Sequence, residues 1–203
     1  MAKTKPVINI AFVGHVDHGK STTIGHLMFL AGRLSENELK KLREEAQKHG
    51  KVGFEFAYYM DRFKEERERG VTIDLSYEKL ITQKYEVTII DAPGHRDFIK
   101  NMITGASQAD AAILVVAAGQ GAGVQPQTIE HATLLKTMGV GEIAVLVDKM
   151  DTVDYKESEF QKIKDDVSKI LLQRGYKPDQ TNFIPISGFK GENLNAKSDK
   201  MPW

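Results

Sequence analysis

Short apolar runs alternate along the chain with polar segments that carry hydrophobic residues at helical spacing. The first run, Val7-Ile8-Asn9-Ile10-Ala11-Phe12-Val13, is apolar at all but one position, as a strand buried on both faces of a parallel sheet must be. A helix follows from about Ser21 to Ala31 and stops at Gly32, a C-cap residue. Ser35, with Glu38 three residues on, is the capping-box signature of a second helix, which carries Leu39, Leu42 and Ala46 on one face and ends near Gly50. A third helix, from about Phe54 to Arg69, places Phe56, Met60 and Phe63 at i, i+4 and i+7. Its tail, Lys64 to Arg69, reads as a solvated, ion-paired face. These two helices form an insertion over about 35–70.

Thr72–Tyr77 and Tyr85–Ile90 lie too close in sequence for a parallel crossover and predict an antiparallel pair. Regular alternation follows. A helix at Asp97–Ser107 precedes a strand at Ala111–Ala117, and a helix at Gln127–Met138 precedes one at Ile143–Val147. A helix at Lys156–Arg174 precedes the last strand, Phe183–Ile186. The expected fold is α/β: a doubly wound, mostly parallel six-stranded sheet with one antiparallel strand and a helical insertion after the first helix. Residues 187–203 show no helical period where one more covering helix is due. The chain therefore reads as a single domain over 1–203, cut short of its last helix. Apolar sheet surface left uncovered in this way would favour self-association.

Composition narrows the partners. Lys plus Arg and Asp plus Glu both number 28, so no basic field points to DNA, and an RNA partner needs a local patch or another domain. With no cysteine, disulfides and thiolate zinc sites are excluded. The N-terminus lacks a signal-peptide core and no 18-residue apolar run occurs, so a soluble cytoplasmic protein without a membrane partner is expected.

The candidate chemistry sits at the ends of the apolar runs. Gly14-His15-Val16-Asp17-His18-Gly19-Lys20-Ser21, followed by Thr22, has the G-x4-G-K-S spacing of a phosphate-binding loop between a strand and a helix. Backbone N–H groups and the helix N-terminus would hold phosphate oxygens, Lys20 would reach the β- and γ-phosphates, and the Ser21 hydroxyl would take a place on Mg²⁺. His15 and His18 shape the loop or face solvent. Asp91-Ala92-Pro93-Gly94-His95 follows the strand ending at Ile90. Asp91 can hold Mg²⁺ through water, and Gly94 can approach the γ-phosphate because it has no Cβ. His95 is the candidate catalytic residue, an imidazole able to orient a water for in-line attack; the alternative is a solvated first-turn histidine. Thr72, after Arg69-Gly70-Val71, can complete the Mg²⁺ set, or the tetrapeptide is a plain helix stop at Gly70. In Asp148-Lys149-Met150-Asp151, Asp151 can accept both N1–H and the exocyclic N2–H of guanine, which adenine cannot offer, and the Lys149 stem can lie over the base. Ser187-Gly188-Phe189 can give a backbone N–H to guanine O6. His26, His49 and His131 suggest no chemistry.

Together the loop at 14–21, Asp61-Arg62-Phe63-Lys64-Glu65-Glu66-Arg67-Glu68-Arg69-Gly70, Asp91 to Phe98, Asn101 to Ala106 and Lys200-Met201-Pro202-Trp203 resemble the elongation factor 1-alpha family of translational GTPases, archaeal or eukaryotic type. The resemblance spans essentially the whole chain but only that family's first, GTP-binding domain; its two following β-barrel domains are absent. It implies GTP/GDP and Mg²⁺ as cofactors and ribosome-stimulated GTP hydrolysis, slow alone, that gates delivery of aminoacyl-tRNA to the ribosome. A nucleotide-exchange factor is a further implied partner. It also implies that Val16 and Val71 form an apolar gate holding His95 off the water. Two alternatives stay open: a nucleotide-dependent switch with impaired hydrolysis, and a ribosome-rescue or termination relative. Where the family's base-reading motif begins with Asn, this chain has Asp148. An ionised carboxylate cannot donate, so weaker nucleotide affinity or altered base preference is expected. Phe189 in place of a more usual Trp or Leu is a minor departure.

Overall fold

A computed structural model describes residues 5–61, 64–69 and 71–203, and of Lys64 the backbone alone. Its elements are β1 (Val7–Val13), α1 (Lys20–Leu30), α2 (Glu36–Lys48), α3 (Glu55–Met60), α4 (Lys64–Arg69), β2 (Ser76–Ile81), β3 (Glu86–Asp91), α5 (Ile99–Ala106), β4 (Ala111–Ala117), α6 (Pro126–Thr137), β5 (Glu142–Asp148), α7 (Glu157–Gln173) and β6 (Asn182–Pro185). The six strands form one sheet in the order β2-β3-β1-β4-β5-β6. Only the β2–β3 pair is antiparallel. The expected fold class stands.

Side chains alternate across the sheet, and both faces are covered. Ala11, Val13, Leu114, Val116, Val145 and Val147 pack to one side with Met102 of α5 and Phe160, Ile163, Val167 and Leu171 of α7. Phe12, Val115, Ile89 and Leu146 pack to the other with Ile24 and Met28 of α1. The α7 positions recur at helical spacing, and each contributes about 1.5–3 kcal/mol of apolar transfer. At α2, Ser35 accepts from the Glu38 N–H while the Glu38 carboxylate accepts from Ser35 N–H, completing the capping box.

Three expectations need correction. The strand expected at Thr72–Tyr77 begins only at Ser76. Before it, Glu66 accepts from the N–H groups of Ile73 and Asp74, and Asn101 donates to the Ile73 carbonyl, so side chains satisfy backbone that would otherwise pair with a strand. The single helix expected over 54–69 is two short helices, with the first ending at Asp61, whose carbonyl accepts from Arg67 Nε. Its charged tail is not simply solvated, because Glu66 is 1% exposed and Arg67 bonds Glu45 as well as Asp61. The expected contact of Phe63 and the helix stop at Gly70 lie outside the described residues. A further adjustment is small: the helix expected at Asp97 opens as a 3₁₀ turn over Arg96–Phe98 before α5.

Residues 187–203 run in turns and bends without regular helix or strand. No helix among the described residues is long and apolar enough to cross a membrane.

Candidate functional site

With β3 on one side of β1 and β4 on the other, the loop after β1 occupies the point where strand order reverses, the usual ligand crevice of such sheets. The loop closes too tightly for side chains at its glycines. A Cβ on Gly14 would lie 2.3 Å from the Val115 carbonyl oxygen, and one on Gly19, at φ 91°, 2.0 Å from Asp148 Oδ2. Lys20 opens α1, and its buried ammonium donates to the carbonyls of Gly14 and His15, each at 3.0 Å. Burial lowers its pKa, while the charge of Asp91 works the other way.

Asp91 ends β3 fully buried, and neither carboxylate oxygen meets a donor in hydrogen-bonding geometry among the described residues. Burial pushes its pKa up to about 6 against the pull of the Lys20 charge and of the nearby Ser21 hydroxyl. Nearby, Ser21 Oγ lies 3.0 Å from Thr72 Oγ1, which donates to Asp61 Oδ1 at 3.4 Å. Burial, then the charges of Asp91 and Glu66, raise Asp61 to about 7. Two hydroxyls and two crowded, buried carboxylates suit a hard dication, and Mg²⁺ fits this donor chemistry. Among the described residues no three His, Cys, Asp or Glu side chains could hold a metal alone. A cation here would therefore draw on hydroxyl, water and phosphate oxygens, as Mg²⁺ does in phosphate-binding sites.

A cavity of about 460 Å³ runs from this cluster across the strand tips, within the range of small-molecule sites. Val16, Asp17, Gly19, Lys20, Ser21, Thr22, Thr72 and Gly94 line its polar end, and Asp148, Lys149, Asp151 and Phe189 the other. The insertion adds a wall of Val52, Gly53, Phe54 and Tyr58. A Cβ on Gly94 would come within 2.6 Å of Lys20 Nζ and 2.8 Å of Val16 N, so only glycine permits that approach.

At the far end Asp148 closes β5 with 2% exposure. Its Oδ1 accepts from Lys149 N at 2.6 Å and Gly188 N at 2.7 Å, and Thr23 Oγ1 donates to Oδ2 at 3.3 Å. Burial still raises its pKa to about 6. Ser187 Oγ donates to Asp151 Oδ1 at 2.6 Å, bracing that carboxylate at the cavity edge.

The remaining predicted residues stand off the cavity wall. Gly14 and Asp91 lie behind it, and Ser187 and Gly188 act as braces. His15 Nδ1 is 2.6 Å from Gln127 Oε1. His18 does not face solvent: it is buried with Nδ1 3.3 Å from the Val115 carbonyl, and burial drives its pKa down to about 3. His95 is partly exposed and its Nδ1 accepts from Asp97 N at 3.2 Å, capping the 3₁₀ turn. Sequence reasoning missed Asp61, His26 and His131. Burial holds His131 neutral, at about 3, and its Nδ1 accepts from Gly14 N at 3.1 Å. That tautomer leaves a proton on Nε2, buried with no partner among the described residues. A lone histidine on a helix gives no spacing signal from which this could be read.

The pattern of the elongation factor Tu GTP binding domain matches residues 5–201. The chain belongs to that family. Over its whole length this elongation factor Tu-type GTP-binding domain is 59% identical to elongation factor 1-alpha of Methanocaldococcus jannaschii and 57% identical to that of Archaeoglobus fulgidus. It covers 48% of each, so the chain spans about half the length of these curated relatives. Among solved structures, bacterial selenocysteine-specific elongation factor EF-Sec aligns at TM-score 0.70 and 29% identity, over 93% of this chain and 27% of that one. The GTP-bound S. cerevisiae Ski7 GTPase-like domain aligns at TM-score 0.82 and 21% identity, over 98% of this chain and 46% of that one, and shows the shared fold alone.

Proposed function

We propose that this chain binds GTP and GDP with Mg²⁺ and hydrolyses GTP, slowly alone and faster on the ribosome. Within a longer cytoplasmic protein like its elongation factor 1-alpha relatives, it would gate delivery of aminoacyl-tRNA, with a nucleotide-exchange factor resetting it. The observation that carries this reading is the meeting of Lys20, Ser21 and Thr72 beside the buried carboxylate of Asp91, which has no donor in hydrogen-bonding geometry among the described residues.

On this reading Lys20 and the loop N–H groups bind the β- and γ-phosphates, and Gly94 leaves room for the γ-phosphate. Ser21 and Thr72 hold Mg²⁺ directly and Asp91 holds it through water; the cation, when bound, screens phosphate charge. His95 orients the attacking water. Its engagement with Asp97 N, and the positions of Val16 and Val71 on the cavity wall, support a gate that keeps it away until the partner aligns it. Asp151 accepts from guanine N1–H and N2–H, with the Lys149 stem against the base. Of the Ser187–Phe189 turn proposed to meet guanine O6, the Gly188 N–H is engaged by Asp148, which supports weakened base recognition.

Mass spectrometry of nucleotide released from the purified protein tests this. Guanine nucleotide is expected; adenine nucleotide in its place would overturn the assignment. The absence of His95 from the residues that line the cavity also favours a second reading, a nucleotide-dependent switch that does not hydrolyse appreciably. Single-turnover GTP assays of wild type and His95→Ala separate the two, since equal background rates would leave the switch.

A further inference from the structure

His26 of α1 belongs to no phosphate or base motif, yet it is buried between two segments that the nucleotide reading needs in register. Its ring stacks on Phe56 of the insertion, with centroids 4.0 Å apart and planes 9° from parallel. On its other side Nδ1 lies 2.7 Å from the Gly188 carbonyl oxygen. A carbonyl only accepts, so Nδ1 carries the proton and donates. The peptide units around Gly188 are thereby pinned from two directions, because the Gly188 N–H donates to Asp148 Oδ1. One residue back, Ser187 donates to Asp151. One residue on, Phe189 lines the cavity and abuts Gly53 of the insertion, where a Cβ would come within 2.9 Å of its ring.

We infer that His26 is a positioning residue for base selection: by donating to the Gly188 carbonyl while stacked on Phe56, it fixes the Ser187–Phe189 turn and thereby the aim of Asp151. The side chain touches no part of the nucleotide cavity and acts through the turn. The inference rests on the guanine-nucleotide reading above and deepens it. It also gives the helical insertion a part in base recognition, since Phe56 holds the imidazole plane that aims the donor.

The donor and the stack can be separated. His26→Phe keeps an aromatic face against Phe56 and loses the donor. His26→Asn places an amide N–H where Nδ1 stood and loses the stack. The readout is the ratio of dissociation constants for GDP and IDP, which differ in the 2-amino group read by Asp151, measured beside thermal melts. His26→Phe should narrow the preference for GDP about fivefold, the weight of one lost hydrogen bond. His26→Asn should retain the wild-type ratio even where its melting temperature falls. A merely structural role would move melting alone, so an unchanged ratio in His26→Phe overturns the inference, as does an equal loss in both variants. A wild-type chain with no preference for GDP over ADP would instead sink the guanine-nucleotide reading, and the inference with it.

Discussion

Replacing Asp148 by Asn should stabilise the ligand-free chain at alkaline pH and leave it unchanged in acid. The carboxylate is 2% exposed at the tip of β5, and burial lifts its pKa from 3.8 to about 6 even though three donors face it. A rise of about 2 units, at about 1.4 kcal/mol each, sets the cost of ionising Asp148 in the folded chain at about 3 kcal/mol. Because the folded pKa lies above the unfolded one, the favourable contribution is full below about pH 4 and lost as pH rises through about 6. An Asn side chain keeps an Oδ1 acceptor for both backbone N–H groups and turns an N–H₂ toward Thr23 Oγ1, without charge. Urea unfolding of both proteins at pH 4 and pH 8 should give equal stabilities at the first. At the second, the Asp148→Asn variant should be the more stable by on the order of 3 kcal/mol. A difference independent of pH would refute the reasoning, and one favouring wild type at pH 8 would reverse it. The same substitution frees the base edge from a charged acceptor, worth about 1–3 kcal/mol in nucleotide binding. Equal GTP affinity in wild type and Asp148→Asn would show that Asp148 does not face the base.

Four further outcomes follow from the geometry. Lys20→Ala, which removes the buried ammonium beneath the loop, should weaken GDP binding by about 10- to 150-fold, the range of a hydrogen bond to a charged group, as read by titration calorimetry. His95→Ala should slow single-turnover GTP hydrolysis about 10²-fold while GTP affinity stays within about twofold, since the side chain lies off the cavity wall. Glu66→Ala frees the N–H groups of Ile73 and Asp74 and should speed limited proteolysis within 71–75, followed by mass spectrometry of the fragments. Stripping nucleotide and Mg²⁺ should cost the chain most at alkaline pH. Asp91 and Asp61, raised to about 6 and about 7, contribute stability below about pH 4 that is lost as pH rises through those values. Restoring GDP and Mg²⁺ at 100 times Kd should return about 2.7 kcal/mol in thermal or urea melts.

The strands β1, β4 and β5 were legible because burial on both faces demands unbroken apolar runs, and their observed limits differ from the pattern by a residue or so. The phosphate loop was legible for a related reason: its chemistry is done by backbone, so glycines at fixed spacing announce it. What sequence could not give were contacts made by single side chains across long separations. Thr72 to Tyr77 has the composition of a strand, yet Glu66 and Asn101 satisfy its first backbone groups, and pairing with β3 begins at Ser76 opposite Asp91. Phe54 to Arg69 has helical spacing throughout, yet the first helix stops at Asp61, whose carboxylate turns to Thr72 and whose carbonyl takes Arg67. In the same way His131 and His26 lie 117 and 162 residues from the groups they hold, Gly14 and Gly188. No periodicity encodes such pairs.

The buried charges explain why this architecture is costly without a ligand. Parallel strands deliver their C-terminal ends to one edge of the sheet, and here β3 and β5 each end in an aspartate that the following turn covers. Asp91 has no donor in hydrogen-bonding geometry among the described residues, only the pull of the nearby Lys20 and Ser21, whereas Asp148 finds three donors, and both are pushed up to about 6. Lys20 sits beside Asp91 but gives its hydrogen bonds to the loop carbonyls of Gly14 and His15. Burying ions that are only partly compensated costs several kcal/mol each, so packing alone does not account for them. The cost is offset if phosphate oxygens draw the Lys20 ammonium off those carbonyls and a dication takes up the charge of Asp91. The two aspartates then differ in kind. Asp91 lacks a donor in hydrogen-bonding geometry among the described residues, which a ligand would relieve, whereas Asp148 is satisfied in part by an N–H of the turn proposed to meet guanine O6. Binding therefore gains at the phosphate end of the cavity and competes at the base end. Affinity in this chain should be dominated by phosphate and cation contacts, with base selection resting on Asp151 and the turn that holds it.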